Sequence, residues 1–378
     1  MLRAALVALV VLLACAASAG AAASPATKLD RELRRLVTMR QGPMGAISIV
    51  QRGSRRTVYR AGVGDRSPRT PLRSTDHMRM ASTSKAFSGA VALALVDQGT
   101  LSLDDTIAQR LPNLPAEWGP VTLRQLLDHT SGLPDFTKDQ AWINTLQRDP
   151  HMVFLPHASL LSFVTTDPLL FAPGTRFNYS NSDNIVVALM AEQATSQPYD
   201  ALLSSLVFSP LGLNQTSLPD GFRLPSPYLH GYDNEGNTPE QDLSTALTAS
   251  SVWASGGVVS SPIDANEFAR GYVGRKLFGS ATQDQQLQLV DGHSEPTGPG
   301  SNRAGLGIFR YRTKCGTVYG HTGNFPGYTQ FLASTLDGRR SVTFSISEQL
   351  NEDMTGRQLA VFKALRNAEE TAVCVALS

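Results

Sequence analysis

Three short motifs, widely separated along the chain, carry residue types that could perform acyl-transfer chemistry. In chain order they are Ser82-Thr83-Ser84-Lys85, Tyr179-Ser180-Asn181 and His321-Thr322-Gly323. A serine hydroxyl is a poor nucleophile until a neighbouring base takes its proton. A lysine amine and a tyrosine phenol are two groups that can exchange that proton. The three motifs therefore indicate a serine hydrolase that transfers an acyl group.

The first motif places a nucleophile and a base one helical turn apart. Ser82 opens a segment, residues 82–98, whose apolar residues repeat at helical spacing and which Gly99 ends. Side chains three residues apart share one face of a helix, so Lys85 could reach the hydroxyl of Ser82. The positive end of the helix dipole would also favour a developing oxyanion at Ser82. Taken alone, this motif could equally be a helix cap followed by a solvated lysine.

The second motif offers a proton carrier and an amide. The phenol of Tyr179 holds its proton up to about pH 10, so it needs a neighbouring cation before it can act as a base. Lys85 is the one cation at a motif position. Asn181 offers one amide oxygen and two N–H donors that suit a peptide group of a substrate. In isolation this pair could be a core tyrosine followed by a helix cap, but its order between the other two motifs favours the catalytic interpretation.

The third motif ends a predicted strand. Gly323 removes a side chain at a point where another backbone could approach. An acyl substrate could lie beside this strand as an added edge. The backbone N–H groups of Asn324 and Ser82 could then form an oxyanion hole, which is a hypothesis from the order of the motifs. The other histidines, including His129 in the last turn of its predicted helix, are expected to be structural.

Hydrophobic periodicity predicts strands near both ends of the chain and helices between them. The predicted strands span 46–51, 57–61, 305–311, 315–322, 328–335 and 340–347, and the predicted helices span 82–98, 122–132, 182–195 and 355–367. This order indicates an α/β (α+β) fold, in which an antiparallel sheet is built from both termini with flanking helices. A mostly helical inserted subdomain is expected at about 101–250. The motif residues would then meet at the seam between the two parts, where substrate pockets often lie.

Composition and charge exclude several functions and partners. The 378 residues include 33 Lys and Arg against 32 Asp and Glu, and no basic run exceeds two residues. We therefore expect no nucleic-acid binding. No HExxH segment or paired-ligand spacing occurs, so we expect no metal and no other cofactor. Residues 24–378 are long enough for one large domain or two interlocked subdomains, and we expect a monomer.

The first 23 residues predict an export signal. Arg3 precedes an apolar run and then a series of small residues, with cleavage sites after Ala19 or Ala23. The apolar run is too short to span a bilayer. The residues ending at Cys15 also resemble a lipobox, so contact with a membrane is expected only if Cys15 is lipidated. Both interpretations place the mature protein outside the cytoplasm, either secreted or as an extracytoplasmic lipoprotein.

Two cysteines, Cys315 and Cys374, remain after removal of such a leader. An even pair in an exported protein favours a disulfide over free thiols. This bridge would tie the C-terminal tail to the strand that leads into His321. Two unpaired buried cysteines are the alternative.

The three motifs and their flanking residues resemble those of the β-lactamase/penicillin-binding-protein superfamily. The resemblance is carried by residues 81–87, 123–133 and 320–328, and it extends from about residue 30 to the C-terminus. Within the superfamily, the chain is similar to the branch that contains class C β-lactamases, secreted D-alanyl-D-alanine carboxypeptidases, and related esterases and D-peptidases. Three motifs in the same order make this resemblance specific.

The resemblance implies a role for each motif residue. Ser82 would be the acylated nucleophile, and Lys85 and Tyr179 would share the roles of general base and acid. The resemblance leaves open which of these two takes the proton of the serine. Asn181 would bind the substrate, and His321 and Thr322 would hold its carboxylate side. With the strand residues argued above, the expected substrate-binding set is Asn181, His321, Thr322, Gly323 and Asn324.

Two details distinguish members of the branch. The third motif is His-Thr-Gly here, as in the secreted carboxypeptidases, whereas class C β-lactamases carry Lys-Thr-Gly. The cysteine pair also resembles the carboxypeptidases. Those enzymes add an arginine on the preceding strand and a threonine after the glycine, where this chain has Phe309 and Asn324. Recognition of a free carboxylate is therefore less well supported than the acyl-transfer chemistry.

The function expected from the sequence is that of an exported D-alanyl-D-alanine carboxypeptidase. It would act on cell-wall peptides through an acyl-enzyme on Ser82, and β-lactams would acylate the same residue. An esterase, a D-amino-acid peptidase or amidase, and a β-lactamase are alternatives that use the same residues. A sensor of β-lactams or wall peptides is the alternative from another class. The expected partner is in each case a small peptide or β-lactam.

Overall fold

The computed structural model describes residues 24–67, 69–233 and 241–378. The predicted leader, residues 1–23, lies outside the described residues, so export and lipidation at Cys15 stay predictions. Across the three described ranges, none of the helices combines the length and apolar character that crossing a bilayer requires.

The helices and strands of the described residues follow in chain order. The α-helices are α1 (Pro25–Thr38), α2 (Ser84–Asp97), α3 (Ile107–Arg110), α4 (Leu123–Leu127), α5 (Gln140–Arg148), α6 (Asn181–Thr195), α7 (Tyr199–Leu203), α8 (Ser209–Leu211), α9 (Trp253–Gly256), α10 (Pro262–Val273), α11 (Ser280–Gln286) and α12 (Gly356–Leu377). The strands are β1 (Gly45–Arg52), β2 (Arg55–Gly62), β3 (Met78–Arg79), β4 (Tyr232–Asp233), β5 (Gln241–Asp242), β6 (Val259–Ser260), β7 (Ser301–Gly305), β8 (Ile308–Thr313), β9 (Gly316–Phe325), β10 (Tyr328–Ser334) and β11 (Arg340–Ile346).

A seven-stranded sheet in the order β2-β1-β11-β10-β9-β8-β7 forms the centre of the molecule. Every pair of neighbouring strands in it is antiparallel. The N-terminal strand β1 pairs with the C-terminal strand β11, so that Ile49 lies opposite Thr343. The predicted α/β fold, with an antiparallel sheet assembled from both ends of the chain, is confirmed.

Helices α1 and α12 cover one face of the sheet. Leu29, Leu33 and Leu36 form the buried stripe of α1 at the spacing of an amphipathic helix. They share one apolar cluster with Phe344 of β11 and Val361 of α12. Burying this stripe fixes the first helix, which the sequence prediction missed, against the C-terminal elements β11 and α12.

Helix α2 lies on the opposite face and is buried on all sides over residues 84–95. A helix that is apolar all round is suited to such a position. A Cβ atom on Gly89 would lie 2.9 Å from the Cα of Gly307, so the small residue permits this close packing. The ring of Phe87 stacks on Phe268 of α10 with centroids 3.6 Å apart. The turn that carries Ser82 and Lys85 therefore stands on a rigid element.

The segment predicted as an insertion, residues 101–250, carries α3 to α8, and within its described residues no strand exceeds two residues. The buried side chain of Arg79, which lies in β3, contacts this segment. Its guanidinium donates to the backbone carbonyls of Phe222, Ser244 and Leu247. The division into a sheet and an inserted subdomain stays a prediction.

Some predicted element bounds are wrong. The helix predicted to run from Thr122 to Gly132 ends at Leu127, after the expected capping box between Thr122 and Gln125. His129 and Gly132 have φ values of +60° and +78°, so the chain cannot continue as a helix there. His129 consequently lies beyond the helix and not in its last turn.

The C-terminal elements also differ from the prediction. Strand β7 was not expected, and the strand predicted at 305–311 begins at Ile308. Helix α12 continues to Leu377, well past the predicted end at residue 367. The continuation contains a buried glutamate, Glu369, which pairs with Arg366, so the sequence there lacks a simple apolar stripe.

Cys315 precedes β9 and Cys374 lies in α12, and the structure places the two sulfur atoms together. The Cα atoms of the two cysteines are 5.1 Å apart, and the two residues are separated by 59 positions in the sequence. That Cα separation lies within the range of a disulfide. The geometry permits the expected bridge, whose formation in solution is tested below.

Candidate active site

Ser82 lies in a single 3-10 turn, Ala81–Thr83, which leads directly into α2. Ala81 has a φ of +53°, in the left-handed region. A residue with a Cβ atom adopts this region at a cost of about 1–3 kcal/mol, and such strain is concentrated at functional sites. Both residues line a pocket of about 450 Å³.

Lys85 reaches back along the helix to Ser82. Its Nζ atom lies 3.1 Å from Oγ of Ser82, 2.7 Å from Oδ1 of Asn181 and 2.9 Å from the backbone oxygen of Ser255. A protonated amine can donate to all three oxygens. A neutral amine can donate to Asn181 and Ser255 and direct its lone pair at the hydroxyl of Ser82. The same three contacts therefore serve both protonation states.

Burial lowers the pKa of Lys85 to about 7, although the nearby carboxylates of Asp135, Glu295 and Asp183 act to raise it. Desolvation disfavours the charged form of an amine, and the lysine side chain is 1% exposed. The neutral form of the Lys85 amine is therefore accessible near pH 7. A neutral amine in contact with a serine hydroxyl is suited to take its proton.

Tyr179 lines the same pocket as Ser82. Burial raises the pKa of Tyr179 well above 10, and the hydroxyl of Ser82 lowers it by a smaller amount. The phenolic oxygen is close enough to Ser82 for this effect, yet it makes no hydrogen bond of normal geometry with the described residues. The Nζ atom of Lys85 lies 4.9 Å from the centre of the phenol ring. Tyr179 therefore holds its proton and can donate it.

His129 supports the ring of Tyr179. The two ring centroids are 4.5 Å apart, and Nδ1 of His129 lies 2.7 Å from a carboxyl oxygen of Asp183. The other carboxyl oxygen of Asp183 accepts a hydrogen bond from Ser131. Burial lowers the pKa of His129 to about 3 and raises the pKa of Asp183 well above its usual value. The contact is therefore a hydrogen bond with a neutral imidazole, and the structural role expected for His129 stays a prediction.

Asn181 begins α6, and its amide is largely occupied by the protein. Its oxygen accepts from Lys85, while Nδ2 donates to the carboxylate of Asp135 and to the hydroxyl of Thr137. Asn181 lines the pocket. In this arrangement the amide of Asn181 orients Lys85. The substrate binding expected of Asn181 would require this amide to exchange or share one of its present hydrogen bonds.

Gly323 brings strand β9 against the turn that carries Ser82. A Cβ atom at this position would lie 2.7 Å from the backbone nitrogen of Ser82 and 2.8 Å from that of Thr83. The close approach of two backbones expected from the sequence is therefore present. Asn324, the next residue, lines the pocket together with Ser82. Its backbone N–H stays our candidate for the second donor of the oxyanion hole.

His321 and Thr322 are buried and are absent from the walls of this pocket. Nδ1 of His321 donates to the backbone oxygen of Thr322, 2.5 Å away, and its ring meets Phe309 edge to face. Burial lowers the pKa of His321 to about 3, so its imidazole is neutral at physiological pH. The hydroxyl of Thr322 donates to the backbone oxygen of Pro296. The expectation that these side chains hold a substrate carboxylate stays a prediction, and the pocket walls of this structure do not include either of them.

Strand β9 has a free edge at its C-terminal end. Its pairing with β8 ends where Phe309 lies opposite Gly320, whereas its pairing with β10 continues to Phe325. From His321 to Phe325 the edge beside Ser82 has no partner strand among the described residues. A substrate backbone could occupy this edge by strand addition, as the sequence suggested.

The walls of the pocket are mainly apolar. Apolar side chains on them are Trp142, Ile143, Leu146, Leu247, Val252, Phe325 and Pro326. Glu295 is the one charged residue on the walls, within the described part of the chain. Sequence reasoning missed Asp135, Ser255 and Glu295. Ser255 contributes a backbone oxygen, which leaves no signal in the sequence, and the two acids stand outside any recognisable motif. No cluster of metal-ligating side chains occurs in the three described ranges.

Comparisons with known proteins support this description. A D-stereospecific amidohydrolase from Streptomyces sp. superimposes with a TM-score of 0.77 and 26% identity, covering 90% of this chain and 97% of that chain. Penicillin-binding protein 4* of Bacillus subtilis (strain 168) is 23% identical over 318 residues, which span 80% of this chain and 67% of that protein. A D-aminopeptidase of Brucella anthropi is 34% identical over 197 residues, 51% of this chain but only 36% of its own length.

A family model described as Beta-lactamase matches residues 29–366. This range includes the nucleophile turn, the start of α6 and the free edge of β9, which are the three elements that meet at Ser82. The match covers most of the chain, and the site contains the serine, amine and phenol that the acyl-transfer chemistry of such enzymes requires. The chain therefore belongs to the beta-lactamase family and is a serine hydrolase of the β-lactamase/penicillin-binding-protein superfamily.

Proposed function

We propose that the protein hydrolyses the amide bond on the carbonyl side of an apolar D-amino acid, through an acyl-enzyme on Ser82. The observation that carries this proposal is the absence of a cationic side chain from the described walls of the pocket. A D-alanyl-D-alanine carboxypeptidase must bind the free carboxylate of its leaving D-alanine, which is best done by a cation. The amide of an amino acid carries no such carboxylate. The apolar walls suit its side chain.

The likeness to a D-stereospecific amidohydrolase and a D-aminopeptidase supports the D configuration. In the acylation step, the neutral amine of Lys85 takes the proton of Ser82 as Oγ attacks the carbonyl carbon. The developing oxyanion accepts hydrogen bonds from the backbone N–H groups of Ser82 and Asn324. Tyr179 donates its proton to the leaving nitrogen, so that ammonia or an amine departs. The ammonium of Lys85 then gives its proton to the phenolate of Tyr179, which restores the phenol and the neutral amine.

In the deacylation step, water replaces the departed amine beside Tyr179 and Lys85. The neutral amine of Lys85 accepts a proton from this water, whose oxygen attacks the ester carbonyl. The ester bond to Ser82 then breaks, and Oγ regains a proton from the Lys85 ammonium. Atoms balance because the amide and one water give a D-amino acid and an amine. The site returns to its starting protonation state.

Three substrates test the proposal: D-phenylalanine amide, L-phenylalanine amide and an acyl-D-Ala-D-Ala peptide. We expect turnover of the D-amide, weak turnover of the L-amide and little release of D-alanine from the peptide. A Ser82→Ala variant should remove all three activities. Release of D-alanine without turnover of the D-amide would contradict the proposal and would support a D-alanyl-D-alanine carboxypeptidase instead.

A D-alanyl-D-alanine carboxypeptidase is the second candidate, and one feature favours it. A recess beside the pocket shares Glu295 and Asn324 with it and contains Lys138 and His293. These side chains could meet a substrate carboxylate if the peptide extends into the recess. The likeness to penicillin-binding protein 4* agrees with this candidate. In this case, Lys138→Met should reduce D-alanine release and leave ester hydrolysis unchanged.

We also propose, from the leader alone, that the protein is exported and acts outside the cytoplasm. Expression of the full chain with analysis of the N-terminus of the mature protein tests this. A mature chain beginning at residue 20 or 24 supports secretion, and one beginning at a lipid-modified Cys15 supports the lipoprotein alternative. Retention of Met1 in a cytoplasmic fraction contradicts both.

A further inference from the structure

The pocket holds one charged group whose purpose the acyl-transfer mechanism does not explain. Glu295 lines both the catalytic pocket and the adjoining recess. Its carboxylate makes no hydrogen bond and no ion pair with any residue that the structure describes. A carboxylate that is partly removed from water and unpaired loses hydration without compensation. It is therefore available to a ligand that brings a positive charge.

The backbone around Glu295 is held in place by other contacts. The hydroxyl of Thr322 donates to the backbone oxygen of Pro296, the residue after Glu295. The hydroxyl of Ser294, the residue before it, contacts both Pro296 and Asn302. These bonds attach the segment to strand β9, beside the candidate oxyanion donor. The backbone at Glu295 is thus held by the fold, and the carboxylate is not used for this purpose.

The charges around Glu295 favour a cation. Burial raises the pKa of Glu295, and the carboxylates of Asp135 and Glu352 act in the same direction. Lys138 and His293 lower its pKa through their charges, but neither forms an ion pair with it in the described structure. In the recess, Glu295, Glu352 and Asp353 outnumber the basic side chains. A substrate ammonium would therefore meet a region of negative potential.

We propose that Glu295 binds the free α-ammonium group of the substrate, so that the enzyme acts on unacylated D-amino acid amides and on N-terminal D-residues of peptides. This inference rests on the proposed function and narrows its substrate class. An α-nitrogen lies two bonds from the scissile carbonyl carbon, a separation of about 2.5 Å. A side chain that binds this ammonium group must consequently line the same pocket as Ser82. Glu295 meets that requirement, and its charge is of the required sign.

Paired substrates that differ only at the α-nitrogen test the proposal. The full chain is assayed with D-phenylalanine p-nitroanilide and with its N-acetyl derivative. We expect the wild type to prefer the free amine. A charged hydrogen bond supports a preference of about 10- to 100-fold in kcat/KM. In Glu295→Gln, the ratio of kcat/KM for the free amine to kcat/KM for the N-acetyl substrate should fall by this factor, mainly through KM of the free amine. The ratio is the readout because loss of the carboxylate also acts on the pKa of Lys85, which affects both substrates alike.

Asp353→Asn is the matched control. It removes one negative charge from the exposed side of the recess, but Asp353 does not line the catalytic pocket. We expect this variant to keep most of the preference for the free amine. A Glu295→Gln variant that retains the wild-type ratio would overturn the proposal, and so would an equal loss in both variants. Failure of the wild type on both substrates would instead reject the proposed function.

Discussion

The amine of Lys85 lies 3.1 Å from the hydroxyl oxygen of Ser82, at the first turn of a helix that is buried on all sides. The sequence places these residues three positions apart, but only the fold supplies the two further oxygens that fix the amine. Those oxygens belong to Asn181 and Ser255. A neutral amine held by those two oxygens can direct its lone pair at the serine, and on this basis we propose Lys85 as the acylation base and Tyr179 as the proton donor.

The first prediction concerns pH. Burial lowers the pKa of Lys85 to about 7, and the base form is the neutral amine. Acylation should therefore rise about tenfold per pH unit below pH 7 and level off above it. The measurement is kcat/KM for p-nitrophenyl acetate between pH 5 and pH 9, because this ester has no amine that titrates. A rate that falls as pH rises through 6 to 7 would contradict this assignment.

A second prediction changes the charge beside the lysine. Asn181→Asp places a carboxylate within hydrogen-bond distance of the Lys85 amine, which favours the ammonium form. The pH profile should shift to higher pH, and activity at pH 7 should fall by about tenfold or more. Asn144→Asp, on the exposed side of α5, is the control for an added charge. Identical pH profiles for the Asn181→Asp variant and the wild type would refute the contact.

A third prediction concerns the approach of β9 to the nucleophile. Gly323→Ala introduces a Cβ atom 2.7 Å from the backbone nitrogen of Ser82, so strand and turn must separate. A misplacement of about 1 Å between reacting groups at an active site costs about 100-fold in rate. Steady-state kinetics and far-UV circular dichroism should show lost activity with a retained fold. Gly221→Ala is the control, since a Cβ atom there meets open space. Full activity of the Gly323→Ala variant would contradict the described packing.

A fourth prediction concerns the cysteines. A disulfide between Cys315 and Cys374 would close a loop across 59 positions. In the chain-entropy description its loss costs about 4 kcal/mol of unfolding free energy. The mass of the unfolded, alkylated protein, measured with and without prior reduction, shows whether the bond exists. Urea unfolding of a Cys315→Ser/Cys374→Ser variant then measures its contribution. Alkylation of both thiols without reduction would refute the bridge.

The sequence predicted the elements whose patterns are local. Apolar segments located β1 and β8 to β11, and the capping box between Thr122 and Gln125 is present. Bounds failed where tertiary contacts override local preference. His129 leaves the helix with a positive φ, and α12 continues through a buried ion pair between Arg366 and Glu369.

The motifs predicted which residues meet, but the role of each depended on burial. The resemblance implied that His321 holds a substrate carboxylate, whereas burial lowers the pKa of its imidazole to about 3, so the ring is neutral at physiological pH. Ser255 contributes a main-chain oxygen, which any residue type could supply. Glu295 lies on a loop far from the motifs in sequence, and only the fold brings it to the pocket.

The most direct test of the account is the mass of the protein trapped during turnover. The full chain is incubated with a slowly hydrolysed D-amino acid ester or a labelled penicillin, quenched in acid and digested. We predict one acyl adduct per chain, attached to the peptide containing Ser82, slower to form in Tyr179→Phe and absent from Ser82→Ala. Turnover that persists in Ser82→Ala, or an adduct on any other residue, would contradict the central claim.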